Sequence, residues 1–408
     1  MEEVLSKKSI LIVSEYFYPE EFKINEVALE WMKRGYSVDV LTTVPTYPES
    51  KVYNGYENKF YQKETYRGIN IYRVKAVTGY KTSFAKKLLK YFSFMFFATF
   101  VALKIAKRYN YIFGFDVGAL TAMFPAILVK KLYKKRVVLW ILDIWPDSVY
   151  AYGFKKTKLL SSLLDGFVAF IYNNSSALAV SSQGFKKKIK PYLKEEKEIL
   201  YAPNWADELD EGYKPFSFSQ DDKVHFTFAG NIGTVQNLDN VIKAFGKLDA
   251  TVCQKAQLNI IGDGSYLETL KQLVEQGRIS NVVFWGRKPR KEIQKYFQAS
   301  DFLIVSLIDK PIFSLTVPAK VQTYIAAKKP ILAILEGDAA KIVEENQLGF
   351  SVNPNDLDAI KDVFEKSILL SEDEKKVFIQ NSQKLSETTF NKEKIIEKLL
   401  ALTVGDKK

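Results

Sequence analysis

The sequence predicts an α/β protein of two tandem domains, each a doubly wound parallel sheet, with the working site in the cleft between them. Three observations lead there. The chain has 408 residues, too many for one ordinary domain and enough for two of about 200. Short apolar runs alternate with helix-spaced segments along nearly all of it, the pattern of strands and crossover helices. Glycines recur just past the ends of those runs, where the carboxyl edge of a parallel sheet binds ligands.

In chain order, Ser9–Ser14 reads as a buried strand. Ile24–Arg34 reads as a helix with apolar residues at Ile24, Val27, Ala28 and Trp31, closed by Gly35. Val38–Thr42, Ile69–Val74, Tyr111–Phe115, Val137–Leu142 and Ala177–Val180 continue the strands. A turn-rich Ala202–Asp207 and a polar stretch to Asp222 separate a second series: Val224–Ala229, Leu258–Ile261, Val282–Trp285, Phe302–Val305 and Ile331–Ile334. Gly230, Gly262 and Gly286 follow the first three of these. The expected division is residues 1–203, residues 204–375, and a charged helical tail, residues 376–408, packing back across the domains.

Composition narrows the chemistry. Apolar residues make up 47%, enough for two cores. One cysteine, Cys253, excludes a disulfide framework and fits a reducing compartment. One cysteine and one histidine cannot assemble a zinc cluster or a Ser-His-Asp or Cys-His nucleophile. His225 sits inside the apolar run Val224–Phe228 and reads as a structural strand residue. The acidic opening and the apolar run broken by Glu15 do not form a signal peptide, so a cytoplasmic protein is expected.

Charge is uneven. Residues 1–206 carry 32 Lys and Arg against 18 Asp and Glu, and the remainder 27 against 29. The first domain alone is therefore expected to meet an anionic surface. Its segment Ser83–Tyr109 contains an uncharged core, Tyr91–Leu103, flanked by Lys86, Lys87, Lys90, Lys104, Lys107 and Arg108. Thirteen helical residues extend about 20 Å, short of the ~20 residues a bilayer crossing takes. Two readings remain: a buried helix, or a helix lying in a membrane interface with its phenylalanines, Phe94, Phe96 and Phe97, below the headgroups. Lys130, Lys131, Lys134, Lys135, Arg136 and Lys186–Lys188 enlarge the same basic surface and favour an anionic membrane. No recognition motif accompanies the charge, so nucleic acid is not expected.

Candidate site residues fall at the strand ends. Gly230, Asn231 and Gly233 stand between a strand and a helix, where backbone amides can approach a phosphate. In Thr316–Val321 a proline turn puts Lys320 in the first turn of a helix, where a cation opposes the macrodipole and is retained for an anionic ligand such as a diphosphate. Asp143 follows a strongly apolar strand and faces the cleft as a general base, as a stabiliser of positive charge at a sugar carbon, or as a helix cap; the cap role suits Asp147 better. The first loop supplies Glu15, Glu20, Glu21 and Asn25 at the same edge.

These motifs bring out a family resemblance. Tyr16–Glu20, Arg34–Val38, Val44–Pro48, Asp143–Ser148, Pro203–Trp205, Gly262–Gly264, Val317–Lys320 and Tyr324–Pro330 stand in the order and spacing of a known family. Over nearly its whole length the chain resembles the GT-B retaining glycosyltransferases of the family 4 type. It looks closest to the branch of bacterial O-antigen, capsule and colanic acid enzymes typified by fucosaminyltransferase-like proteins. The resemblance implies two Rossmann-like domains, a nucleotide-diphosphate sugar (a UDP-sugar above all) in the second, and an acceptor in the first. Carried over, Gly230, Asn231 and Gly233 approach the diphosphate and Lys320 pairs with it. Arg287 lies by the base; Ser314, Leu315, Thr316 and Val317, with Thr323, line the donor sugar. Asp143 is the catalytic candidate, and Glu20 and Asn25 the acceptor contacts. No metal and no cofactor are implied.

The chain departs from the family pattern at three points: Leu315 and Thr323 replace two glutamates eight residues apart, Thr234–Gln236 replace an Arg/Lys pair, and Leu142 replaces a histidine. The expectation is a retaining transferase acting on a polyprenyl-diphosphate-linked oligosaccharide in lipopolysaccharide or capsule synthesis, peripheral on the inner face of the plasma membrane. Its rivals are a UDP-sugar epimerase of the same fold and a non-catalytic sugar-binding protein.

Overall fold

A computed structural model describes residues 8–81, 84–151, 154–206, 216–218 and 222–406. The opening residues 1–7, Ser83, the Lys87 side chain and most of the polar stretch before Asp222 lie outside them. The chain forms two compact units, Met1–Pro203 with Glu393–Lys408, and Asn204–Lys392.

The first unit holds eight strands: β1 (Ser9–Ser14), β2 (Ser37–Thr43), β3 (Tyr61–Tyr66), β4 (Ile69–Val74), β5 (Tyr111–Asp116), β6 (Arg136–Ile141), β7 (Ala177–Val180) and β8 (Ile199–Tyr201). Their order is β3-β4-β2-β1-β5-β6-β7-β8. All pairs are parallel except β3 with β4. Three of the six expected strands in this unit have the bounds read from sequence, and the others differ by a residue at one or both ends. β3 and β8 were not anticipated. The β3 segment, YQKETY, is polar and partly exposed on an edge, and its register is set by an antiparallel partner.

The helix Lys23–Lys33 buries Ile24, Val27, Ala28 and Trp31, and Gly35 at φ 89° follows it with its N–H on the Met32 carbonyl. Trp31 sits edge-on against Phe113 and donates its indole N–H to the Ile396 carbonyl at 3.2 Å. Ile396 belongs to the helix Lys392–Val404, most of which completes this unit, whereas the helix Glu372–Glu387 lies in the second.

The second unit adds β9 (Val224–Asn231), β10 (Ala256–Asp263), β11 (Val282–Gly286), β12 (Phe302–Ser306), β13 (Ile331–Ile334) and β14 (Gly349–Val352), ordered β11-β10-β9-β12-β13-β14 and all parallel. Alternate residues feed two cores. Phe226, Phe228, Leu258, Ile260 and Ile304 pack on one face; Ile261, Leu303, Val305 and Ala333 pack on the other. Burial on both faces is why these strands read as continuous apolar runs. His225 is buried, stacks on Phe218 and lies 3.4 Å from the Asn259 amide through Nδ1, a structural strand histidine.

The segment with two readings is a 22-residue helix, Phe84–Ile105, about 33 Å long. Among the described residues Leu88–Arg108 is long and apolar enough to cross a membrane, with mean hydropathy 1.6, so the thirteen-residue core understated its reach. The two faces differ. Phe94, Ala98, Val101, Ala102 and Ile105 are buried in the unit; Leu89, Phe92, Phe96 and Phe100 are each about half exposed. Phe94, expected among the membrane-facing phenylalanines, is a core residue: three- and four-residue steps put it on the buried stripe.

Candidate active site

Each sheet has one switch point, where the strand order reverses and the flanking loops diverge: between β1 and β5 in the first unit and between β9 and β12 in the second. The candidate residues gather at the carboxyl edges of these two places.

In the second unit Gly230 and Gly262 face each other across the β9–β10 pair. Gly262 is held at φ +146°, and a Cβ there would meet the Gly230 carbonyl oxygen at 1.8 Å, so no side chain fits. Over Gly230 lies Lys320, on the first turn of the helix Ala319–Ala326. Its ammonium stands 4.6 Å from the centroid of the Phe228 ring and has no carboxylate partner among the described residues. Burial without a counter-charge pulls its pKa down to about 8. Beside it opens a cavity of about 590 Å³, lined by Gly230, Asn231, Gly262, Gly264, Arg287 and Arg290, among others. Three cationic side chains (Arg287, Lys288, Arg290) and one acid (Asp263) line this space.

The other donor candidates are placed differently. The Ile232 N–H donates to the Asp263 carbonyl and the Gly233 N–H to Gln236 Oε1 at 2.9 Å, so these two loop amides are already engaged. A short 3₁₀ turn, Thr234–Gln236, separates them from the helix Leu238–Phe245. Thr323 turns its hydroxyl back to the Ala319 carbonyl. Ser314, Leu315, Thr316 and Val317 form the turn before the helix of Lys320, with Thr316 Oγ1 on the Phe313 carbonyl. That turn sits against Gly337, whose Cβ would lie 2.0 Å from the Ser314 carbonyl oxygen. Gly337, at φ +90° before the helix Asp338–Glu345, was not singled out; its place after a strand and ahead of a helix was the available signal.

In the first unit Glu20 is buried, and Oε1 accepts the Thr46 and Tyr47 amides at 2.8 and 2.7 Å. Its other oxygen has no partner. Burial raises its pKa to about 7 against the opposing effect of those amides. Asn25 donates to the Glu20 carbonyl at 2.7 Å and leaves Oδ1 unpartnered. Asp143, two residues past β6, accepts its neighbour Ile144's amide at 2.9 Å, and burial raises its pKa to about 6. Asp147 is the first residue of the short helix Asp147–Ala151 and pairs with Lys188 at 2.9 Å.

Sequence reasoning missed Asp116. It ends β5 opposite Ile141, is almost wholly buried, and neither carboxylate oxygen has a well-formed hydrogen bond, although the Gly118 backbone amide faces it. Burial first, then the Asp143 charge, push its pKa well above the carboxylate range. A carboxylate closing an apolar strand was the signal. Glu15 is held by Lys90 at 2.9 Å, an ammonium from the helix Phe84–Ile105 that also contacts the Tyr16 hydroxyl. No three acidic or imidazole side chains among the described residues are placed to hold one metal ion.

Residues 211–385 match the family model described as glycosyl transferases group 1. The chain is 28% identical over 252 residues to the probable glycosyltransferase WbjE of Pseudomonas aeruginosa, covering 57% of this chain and 61% of that one. It is 25% identical over 274 residues to the putative colanic acid biosynthesis glycosyl transferase WcaI of Escherichia coli K12, covering 63% and 65%. Both matches span less than two thirds of the relative's length.

Among solved structures, WaaG, a glycosyltransferase involved in lipopolysaccharide biosynthesis, superposes with a TM-score of 0.61 at 15% identity, covering 97% of this chain and 100% of that one. A trehalose-6-phosphate protein of E. coli bound with UDP-2-fluoro glucose superposes with a TM-score of 0.72 at 12% identity, covering 97% and 99%. At such identities the likeness establishes the fold.

Proposed function

We propose, for a chain of GT-B fold whose residues 211–385 match the glycosyl transferases group 1 model, a retaining glycosyltransferase of bacterial surface polysaccharide assembly. It moves a sugar from a UDP-sugar to a polyprenyl-diphosphate-linked oligosaccharide, as in O-antigen, capsule or lipopolysaccharide synthesis. One observation carries the reading: Lys320, half-buried and without an acidic partner among the described residues, lies over Gly230 at the switch point of the second sheet. A desolvated cation beside a glycine-opened backbone is suited to a diphosphate. The relatives' roles in polysaccharide synthesis and the UDP-sugar in a neighbour's structure agree with it.

In this reading Lys320 neutralises the β-phosphate as the C1–O bond of the donor breaks and its electron pair leaves with UDP. The acceptor oxygen bonds to C1 on the same face, and its proton passes to the departing diphosphate. Asp143 stabilises positive charge at C1 or orients the acceptor hydroxyl. The residues require no metal for this charge balance. Arg287 lines the nucleotide cavity, and the turn Ser314–Val317 faces the transferred sugar. Glu20 and Asn25 contact the acceptor. The half-exposed Phe92, Phe96 and Phe100 rest in the interface of an anionic membrane, on the cytoplasmic face of the plasma membrane.

The test offers a panel of UDP-sugars to the purified protein with and without lipid-linked acceptor, following UDP release and acceptor mass. Acceptor-dependent release with a mass gain of one sugar supports the reading. Isomerisation of the UDP-sugar without acceptor overturns it in favour of an epimerase.

A further inference from the structure

The carboxyl edge of the first sheet is acidic although the unit around it is basic. Glu15 and Glu20 follow β1, Asp116 ends β5, and Asp143 follows β6. These strand ends are neighbours, since Ser14 stands opposite Phe115 and Asp116 opposite Ile141. Among the described residues two cations reach the edge and both are engaged. Lys90 is spent on Glu15. Arg73, fully buried, is bound to Glu64 and to the Thr43 and Tyr18 carbonyls. Glu20, Asp116 and Asp143 have no ion-pair partner among the described residues.

A second feature points to a ligand. Four buried oxygens without a hydrogen-bond partner sit here: Glu20 Oε2, Asn25 Oδ1 and both oxygens of Asp116, on side chains of which Glu20 and Asp116 are 2% and 1% exposed. The Glu20 carboxylate and the Asn25 carbonyl accept hydrogen bonds there and offer none, whereas Asp116, whose pKa burial holds well above the carboxylate range, keeps its proton at neutral pH and can also donate. A buried polar atom left unpaired costs about 1–3 kcal/mol, so what satisfies them brings O–H or N–H donors. The rim supplies an apolar counterpart. The Tyr47 ring, 47% exposed, leans on Tyr16 and Phe22 while its own amide binds Glu20. An aromatic face beside acceptor oxygens suits the C–H face and hydroxyls of a pyranose.

Resting on the proposed transferase reading, we infer that this edge selects an acceptor sugar that presents hydroxyl or ammonium donors and rejects one that carries a carboxylate. The acids at these strand ends, Glu20, Asp116 and Asp143, without an ion-pair partner among the described residues, are the specificity element. A uronate would bring a further negative charge to a place whose burial already resists the ionisation of its own carboxyls, those of Glu20 and Asp143 included. A carboxylate taken out of water there with no cation to pair it costs several kcal/mol. A neutral hexose or an amino sugar relieves the unpaired oxygens instead.

The test compares matched methyl glycosides, galactoside against galacturonide and glucoside against glucuronide, with glucosaminide added, binding the full chain by saturation-transfer NMR at pH 7.5. Neutral and amino sugars are expected to bind at least about tenfold more tightly than the uronates, a difference of about 1.4 kcal/mol. In Glu20→Gln with Asp116→Asn, checked for an unchanged melting transition, the gap is expected to narrow. Glu20→Gln alone serves if the double variant does not fold. Equal or tighter uronate binding, a gap unaltered by the variants, or no glycoside binding at all overturns the inference. If the gap stands but no UDP-sugar is turned over with any acceptor, the transferase reading fails and the selectivity remains.

Discussion

The ammonium of Lys320 occupies the space a side chain at Gly230 would need: a Cβ there would lie 2.6 Å from Nζ and 2.8 Å from Cε. The two residues come from different strand–helix units and are brought together by the parallel order of β9 and β12. Gly230→Ala should therefore displace the end of a flexible side chain and strain a backbone held at φ +145°, lowering the melting temperature while weakening UDP binding. Lys320→Ala should weaken it by roughly 10- to 100-fold, the value of about 1.5–3 kcal/mol for a hydrogen bond to a charged group. Calorimetric titration with UDP reads both. Gly262→Ala meets a backbone oxygen at 1.8 Å and should fail to give a native melting transition.

Binding of UDP should depend on pH through the same lysine. In the free protein its pKa lies near 8, and only the ammonium form binds the diphosphate well. Affinity is expected to be constant below about pH 7 and to fall as pH rises through 8, with proton uptake on binding near pH 8. Lys320→Arg should flatten this profile because a guanidinium stays charged. Titrations in two buffers of different ionisation enthalpy measure the uptake directly.

The stability of the first unit should also fall as pH rises. Asp143 and Glu20 have folded pKa values raised to about 6 and about 7, above those of unfolded carboxylates. Their contribution to stability is thus fully present below about pH 4 and lost as pH rises through 6 to 7. The loss is expected to be roughly 5 kcal/mol, read as a falling melting temperature between pH 4.5 and 7.5. Glu20→Gln with Asp143→Asn should reduce that slope, and adding Asp116→Asn should reduce it further.

The helix Phe84–Ile105 separates two roles by face. Replacing Phe92, Phe96 and Phe100 by serine should leave the melting temperature near wild type and reduce co-sedimentation with anionic vesicles. Unchanged sedimentation would remove the membrane role. Phe94→Ser, one step away on the buried stripe, should instead destabilise by about 3–5 kcal/mol.

Arg73 is the largest buried charge of the first unit, bound to Glu64 and to two backbone carbonyls. Arg73→Ala leaves those carbonyls and Glu64 uncompensated and should cost about 3–5 kcal/mol in chemical denaturation. Arg73→Met with Glu64→Leu, which removes both charges, should recover a large part of it.

The sequence alone determined the strand–helix alternation, and with it the two parallel sheets, because strands buried on both faces must be apolar throughout. Lys320 and Gly230 were legible too, since a cation in a helix's first turn and a glycine past a strand end each break a local preference. Tertiary structure decided what has no local signature. Asp116 became a buried, unpartnered acid only when β5 was laid between β1 and β6. Lys90 reached Glu15 from 75 residues away. Phe94 and Phe96 were divided between core and surface by the rotation of one helix against its sheet. Periodicity records which residues share a face; pairing across strands, set by distant contacts, records which face meets a charge, a cavity or solvent.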